Sequence, residues 1–411
     1  MAPTVILVSL DGFRADYLDR HAPPTLTRIA TEGVRAESLI PVFPTKTFPN
    51  HYTLVTGLRP ARHGIVGNTI YDSAFDTPFN PRNRESMQDA RWWGGEPLWV
   101  TLEKQGQIAA PFLWPGSEAA IKGWRPRYWL PYRDTYAVED RIQWILDCLQ
   151  LPAKDRPTFL TLYFSQVDAS GHFNGPESLA TEKAVHMVDQ YLGMLLDSLE
   201  TRGLLDDINL LITSDHGMAP TSRERVVFLD DAVNMKDIAH FHGDPALMVW
   251  PAEGREKAVL EALQAVPHVS FYRKSNLPED YGLRDHRRIA PLVGIVDEGW
   301  RVSTRASHAR NPARFDGGAH GYDHRLPAMQ GIFLGHGPAF REATTAGPLS
   351  IVDLYVLMTD ILGVTPAPND GNPDVADSLL KPRTSRTGNS TPSRKPAERQ
   401  PATCQPSMPS P

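Results

Sequence analysis

Aspartates that follow short, largely apolar runs constrain this chain more than any other feature. Residues 5–10, 158–164, 209–213, 246–250 and 330–334 are stretches of strand length rich in Val, Ile, Leu and Phe. Continuous rather than alternating hydrophobicity is the pattern of strands covered on both faces. Between them, residues 24–31 ending at Gly33, 138–149, 179–202 ending at Gly203, and 256–265 carry helical periodicity, several with a Gly stop. Strands alternating with helices predict an α/β fold built on a largely parallel sheet flanked by helices. Sheets of that kind bind ligands beyond the carboxyl ends of their strands. Asp11, Asp168 and the pair Asp215-His216 stand just past such ends.

The chain's 411 residues have room for more than one domain, and 41% hydrophobic and 22% charged residues are ordinary for a globular protein. Residues 222–308 hold their own small αβ pattern and are expected to form a lid-like subdomain inserted into a catalytic domain of residues 1–380. From 381 onward the chain carries seven prolines, six Lys/Arg and one Glu, with almost no large apolar side chain. That tail is expected to be disordered, because it buries too little to offset ordering entropy. A net charge of −6 argues against a broad nucleic-acid surface. Removing the basic tail leaves −11 on the other 380 residues. Two cysteines, Cys148 and Cys404, provide neither a disulfide framework nor a cysteine zinc site, so bound metal would need His and carboxylate ligands. No apolar run reaches the roughly 18–20 residues of a transmembrane helix. A strand starting almost at the N-terminus leaves no room for a signal peptide, which is the expectation for a cytoplasmic protein or for one whose leader is missing.

Three segments carry a metal-ligand pattern. Asp168-Ala169-Ser170-Gly171-His172 sets a carboxylate four residues before an imidazole. Asp215-His216 sets the two side by side, and Asp316-Gly317-Gly318-Ala319-His320 offers a third His in a glycine-rich loop. With Asp11, these three Asp and three His on sheet-edge loops suit two divalent cations, zinc best among them. Asp316 and Asp323 flank His320 and are candidates to orient it; plain loop turns are the competing reading. His51, His63, His242 and His308 receive no role, and Arg14 and Arg62 are read as surface charge. Pro44-Thr45-Lys46-Thr47-Phe48-Pro49-Asn50 supplies a hydroxyl with no neighbouring base, which metal coordination would activate. The helix is expected to open at Pro49-Asn50 and stop at Gly57. Thr47 at its N-terminus would gain from the dipole, unless Thr45 or Thr47 merely caps it.

The segments VSLDGFRADYL (8–18), PTKTFPNHYTLVTGLRPARHGIVGN (44–68), WPGSEA (114–119), DASGHFNGP (168–176), SDHGM (214–218) and GGAHGYD (317–323) resemble, in order and spacing, the nucleotide pyrophosphatase/phosphodiesterases of the alkaline phosphatase superfamily. The resemblance implies an alkaline-phosphatase-like fold and two Zn²⁺ ions, one on Asp11, Thr47, Asp215 and His216, the other on Asp168, His172 and His320. It implies Thr47 as a nucleophile that forms a covalent nucleotidyl-threonine, and Asn68 as a donor to a phosphoryl oxygen. The substrate would be ATP, a dinucleotide or another nucleotide diester, with the base between Phe48 and an aromatic in 128–132, for which Tyr132 is chosen; Phe48 as plain core is the alternative. Relatives acting on lipid-headgroup diesters or phosphonates share the metal set, and a silent binding protein is a third possibility. A sulfatase is excluded, since Thr47-Phe48-Pro49-Asn50-His51 cannot supply formylglycine. No Arg is identified that would serve a monoesterase. The family usually works outside the cell.

Overall fold

A computed structural model describes residues 2–75, 78–133 and 135–382. The expected tail therefore lies outside the described residues except for Lys381 and Pro382. The strands used below are β1 (Thr4–Leu10), β2 (Val34–Ala36), β3 (Ala109–Ala110), β4 (Phe159–Phe164), β5 (Ile208–Thr213), β6 (Ala219–Thr221), β7 (Ile238–His242), β8 (Ala246–Pro251), β9 (Val269–Arg273), β10 (Leu292–Val296), β11 (Gly317–Ala319), β12 (Phe333–His336) and β13 (Thr344–Ala346). The helices are α1 (Pro24–Glu32), α2 (Thr47–Thr56), α3 (Val138–Gln150), α4 (Gln166–Asn174), α5 (Leu179–Thr201), α6 (Glu256–Gln264) and α7 (Leu354–Leu362).

The main sheet has seven strands in the order β13-β2-β12-β5-β1-β4-β3. β1 lies fifth in that order, parallel to β4 on one side and β5 on the other, and only β12 runs antiparallel to its neighbours. All seven residues of β1 are buried, because helices cover both faces. Alternate side chains divide between two cores. Val5 and Leu7 join the layer that contains α2 and α7, while Ile6, Val8 and Leu10 join that of α1, α3 and α5. Register then fixes the working edge. Leu10 lies opposite Phe164, and Ser9 opposite Thr213, so the chain leaves all three strands at one edge. The Asp11 amide donates to the Phe164 carbonyl (2.9 Å) and the Asp168 amide to the Asp11 carbonyl (3.0 Å).

Between β5 and β12 the chain builds a second, antiparallel sheet in the order β9-β10-β8-β7, with α6 packed on it. Its core of Leu247, Val249, Val259, Leu263 and Leu292 is continuous with Tyr322 and Met329 of the main body. Among the described residues no helix is long and apolar enough to cross a membrane.

Candidate functional site

α2 begins at Thr47, two residues before the expected start. The cause is Asn50, buried in the second turn. Its amide donates to the carbonyls of Val42, Pro44 and Lys46, and its oxygen accepts from the Val42 amide (2.7 Å). This clamp fixes the approach to the helix, and Pro49 falls in the first turn, where no backbone donor is needed. Thr47 is thus the first helical residue, with Lys46 the extended residue before it.

Asp168 and His172 lie on a helix, α4, rather than on the loop their sequence suggested. Asp-Ala-Ser-Gly-His has weak helical preference, and packing against α5 and β11 overrides it. One turn apart, the pair shares a face, with His172 Nε2 3.4 Å from Asp168 Oδ1. The glycine-rich segment before His320 likewise forms strand β11, paired antiparallel with β6, which follows Asp215-His216-Gly217-Met218. That pairing brings the third imidazole to the other two.

The groups converge tightly. His216 Nε2 stands 3.0 Å from Asp215 Oδ2, 3.5 Å from Asp11 Oδ1 and 3.4 Å from Thr47 Oγ1. His320 Nε2 is 3.6 Å from Asp168 Oδ1, and the His216 and His320 rings stack at 3.6 Å. Asp168, His172 and His320 form one set whose ligand atoms lie within 4.8 Å of one another. Asp11, Asp168 and His216 form a second, and Asp11, His51 and Asp215 a third. Gly12 makes the approach possible: it holds φ +70°, and a Cβ there would meet the Asp168 Cα at 2.8 Å.

Two observations fit these residues to cations. Nδ1 of each imidazole faces a backbone carbonyl: Gly318 for His172 (2.8 Å), Gly217 for His216 (2.9 Å) and Thr45 for His320 (2.7 Å). A carbonyl only accepts, so each Nδ1 carries the proton and each Nε2 presents a lone pair to the carboxylates. Asp11 Oδ1, Asp168 Oδ1 and Asp215 Oδ2 are buried and accept no hydrogen bond. Lone pairs facing one another at 3.0–3.6 Å need positive charge between them. The crowded groups also shift one another's titration: burial would lower His216, but the Asp215 carboxylate raises it. Burial, then Asp215 and Asp168, push the Asp11 carboxyl well up. Burial would raise Asp215 too, but the His216 and His51 imidazoles hold it below the usual carboxylate range. Burial and the neighbouring His216 press His320 down.

Other expectations are revised. Asp316 is taken by Arg223, and Asp323 by Arg325 and the Tyr281 hydroxyl; the Thr45 carbonyl, not a flanking Asp, orients His320. His51 was assigned nothing, yet it is fully buried at the site. Its Nδ1 lies 2.9 Å from the Thr47 carbonyl and 3.3 Å from Asp215 Oδ2, its Nε2 2.8 Å from Ser9 Oγ. Its position four residues after Thr47 becomes a signal only once the helix is seen to begin at Thr47. Tyr163, at the end of β4, donates to Asp11 Oδ2 at 2.6 Å and carried no signal beyond its place beside a candidate ligand. Lys46 donates to the carbonyls of His320 (2.6 Å) and Asp244 (2.8 Å), and burial pulls its ammonium down to about 8. Buried His63 is held by Thr53 and the Ile65 amide, and His308 packs edge-on to Phe228. Arg14 pairs with Asp16 and Arg62 with Asp370.

Thr47 and Phe48 open onto a cavity of about 330 Å³ whose walls include Trp114, Glu118, Tyr132 and Tyr163. The Phe48 ring rests on Phe79 and Trp93, so it is part core and part wall. Tyr132 is 46% exposed, its amide fixed by Glu118 (2.8 Å). The Phe48 amide donates to Asn68 Oδ1 (2.9 Å).

Known proteins resemble this chain in sequence and in fold. A model of the type I phosphodiesterase/nucleotide pyrophosphatase family matches residues 5–323. Ectonucleotide pyrophosphatase/phosphodiesterase family member 3 of Rattus norvegicus is 36% identical over 391 residues, 92% of this chain and 44% of the relative. The chain thus spans under half the length of that relative. Bis(5′-adenosyl)-triphosphatase of Xenopus laevis is 36% identical over 380 residues, covering 92% of this chain and 82% of the relative. The structure of murine ectonucleotide pyrophosphatase/phosphodiesterase 5 superposes with a TM-score of 0.86 at 36% identity, over 92% of this chain and 100% of that one. An inactive threonine-to-alanine variant of the murine protein, in complex with AMP, matches at 0.86 and 35%.

Proposed function

Because the chain belongs to the type I phosphodiesterase/nucleotide pyrophosphatase family, we propose that it hydrolyses nucleotide phosphodiester and pyrophosphate bonds, releasing nucleoside 5′-monophosphates through a nucleotidyl-Thr47 intermediate. One observation carries the reading: Thr47 Oγ1, at a helix N-terminus, stands 3.4 Å from His216 Nε2 beside carboxylate oxygens that lack any hydrogen-bond donor.

Two Zn²⁺ would be held by Asp11, Thr47, Asp215 and His216, and by Asp168, His172 and His320. Bound there, they would neutralise the carboxylates and acidify the hydroxyl. The chain's own groups do the rest. Phe48 and Tyr132 border the cavity that would take the base, and π-stacking tolerates any base. Asn68 spends its oxygen on the Phe48 amide, which leaves its NH₂ to donate to a non-bridging phosphoryl oxygen as charge develops. The α2 N-terminus favours negative charge at Thr47. Thr47 Oγ1 attacks phosphorus opposite the leaving group, the P–O bond to that group breaks, and water later cleaves the P–Oγ1 bond to free the 5′-nucleotide.

The test is hydrolysis of p-nitrophenyl thymidine 5′-monophosphate against p-nitrophenyl phosphate, with chelator and with added zinc. Fast, chelator-sensitive cleavage of the diester with little of the monoester is expected, and Thr47→Ala should abolish it while the protein keeps its zinc. Preference for the monoester, or indifference to zinc, would overturn the reading.

A further inference from the structure

A second cavity, of about 260 Å³, borders Lys46, the residue before the nucleophile. Lys46 and Asn68 form its wall toward the site, and His242, the turn at 243–244 and Met248 form its wall from the four-stranded sheet. Phe48, after Thr47, borders the first cavity with Thr47 itself, and Lys46, before it, borders the second. A phosphodiester carries two arms on one phosphorus. With phosphorus at Thr47 Oγ1, the cavities bordered by the residues on either side of Thr47 are the places available to the two arms.

The chemistry of this second cavity is specific. Lys46 uses two ammonium hydrogens on the His320 and Asp244 carbonyls and keeps a third for an anionic oxygen. The Asp244 carboxylate does not oppose an anion, since Arg301 (2.7 Å) and the Val302 amide (2.9 Å) occupy it. His242 offers a flat face. Its ring stacks on Trp250 at 5.0 Å and 28°, and its Nδ1 lies 3.2 Å from His240 Nε2. His240 and Trp250 are in turn backed by Tyr71. Burial pushes His242 down to about 4, so the face is uncharged at neutral pH. The volume falls just under the roughly 300–1,000 Å³ of drug-sized sites: room for one planar heterocycle.

We propose that this cavity is a leaving-group subsite, in which Lys46 and Asn68 meet the phosphate chain and His242, braced by Trp250, stacks on a planar heteroaromatic ring carried by the leaving group. The subsite rests on the phosphodiesterase reading, and it makes residues 222–308, which we take as a lid, a determinant of which diester is preferred.

The test compares ATP, which leaves pyrophosphate, with bis(5′-adenosyl) tetraphosphate, which leaves a ring-bearing nucleotide, on the zinc-loaded full chain. His242→Ala should lower kcat/KM for the dinucleotide about tenfold, the scale of one aromatic contact, mainly through KM. ATP should stay within about twofold, and His242→Phe should restore the dinucleotide. Equal losses on both substrates, no loss, failure of the Phe variant to rescue, or a wild type that cleaves ATP but not the dinucleotide would each sink the subsite. A wild type inert toward both substrates and toward p-nitrophenyl thymidine 5′-monophosphate would sink the phosphodiesterase reading, and the subsite with it.

Discussion

His51 ties three parts of the site together through one ring. Its Nδ1 donates to the Thr47 carbonyl and lies 3.3 Å from Asp215 Oδ2, and its Nε2 accepts from Ser9 on β1. The rings of Trp114 and Tyr163 pack edge-on against it at 4.9 and 5.4 Å, so it has no freedom to turn. A residue placed in this way orients a ligand without reaching the substrate. Loss of such outer partners typically costs 10–100-fold in metal affinity or activity. We expect His51→Ala to weaken zinc binding by roughly that factor, measured by competition with a chromophoric chelator, and added zinc to recover most of the lost activity. Unchanged zinc affinity would reduce His51 to core packing. Tyr163→Phe removes one hydrogen bond to Asp11 and should act in the same direction, more weakly.

At the scale of elements, what the sequence revealed depended on how each element is stabilised. β1 was legible to within one residue, because a strand buried on both faces must be apolar throughout. α4 was not legible, because Gly171 and the Asp and Ser around it read as a turn; the helix exists by packing, and a Cβ on Gly171 would meet the Met218 side chain at 3.1 Å. β12 begins three residues later than the apolar run that announced it, since Gly331 is spent on bridges to Arg14 and Leu39. Its antiparallel direction is set by neighbours far away in the chain. The early start of α2 depends on the Asn50 clamp, a tertiary feature, and it hid the Thr47–His51 spacing. The far end of α2 was legible. Gly57 stops it with φ +62°, where a Cβ would meet Tyr355 and Asn369 at 3.0 Å. Gly57→Ala is expected to cost about 1–3 kcal/mol, seen as a lower midpoint in urea. KM should hardly change, because Thr47 lies three turns away at the other end. A large change in KM would mean that the helix transmits strain along its length.

Across the whole molecule, the topology that builds the site also weakens it. Three strands of one parallel sheet end in register, and the acidic residues that follow them are forced together at one edge. Asp11 and Asp215 are almost wholly buried. Burial and mutual repulsion both raise the free energy of the metal-free state. A ligand that binds only the folded chain adds stability in proportion to the logarithm of its excess, about 4 kcal/mol at a thousandfold excess over Kd. Chelation should therefore lower Tm by several degrees, and zinc should restore it. Asp11→Asn discriminates this account from one in which the carboxylates are merely structural. The amide keeps an oxygen for the Tyr163 hydroxyl and removes one of the crowded charges. In chelator the variant should melt above the wild type; with zinc it should gain less, and diester hydrolysis should be lost. A variant that melts below wild type in chelator would show that Asp11 stabilises the fold by itself. The expected order of melting temperatures would instead show that the crowding that strains the empty fold is the source of its affinity for metal, a stability cost kept for function.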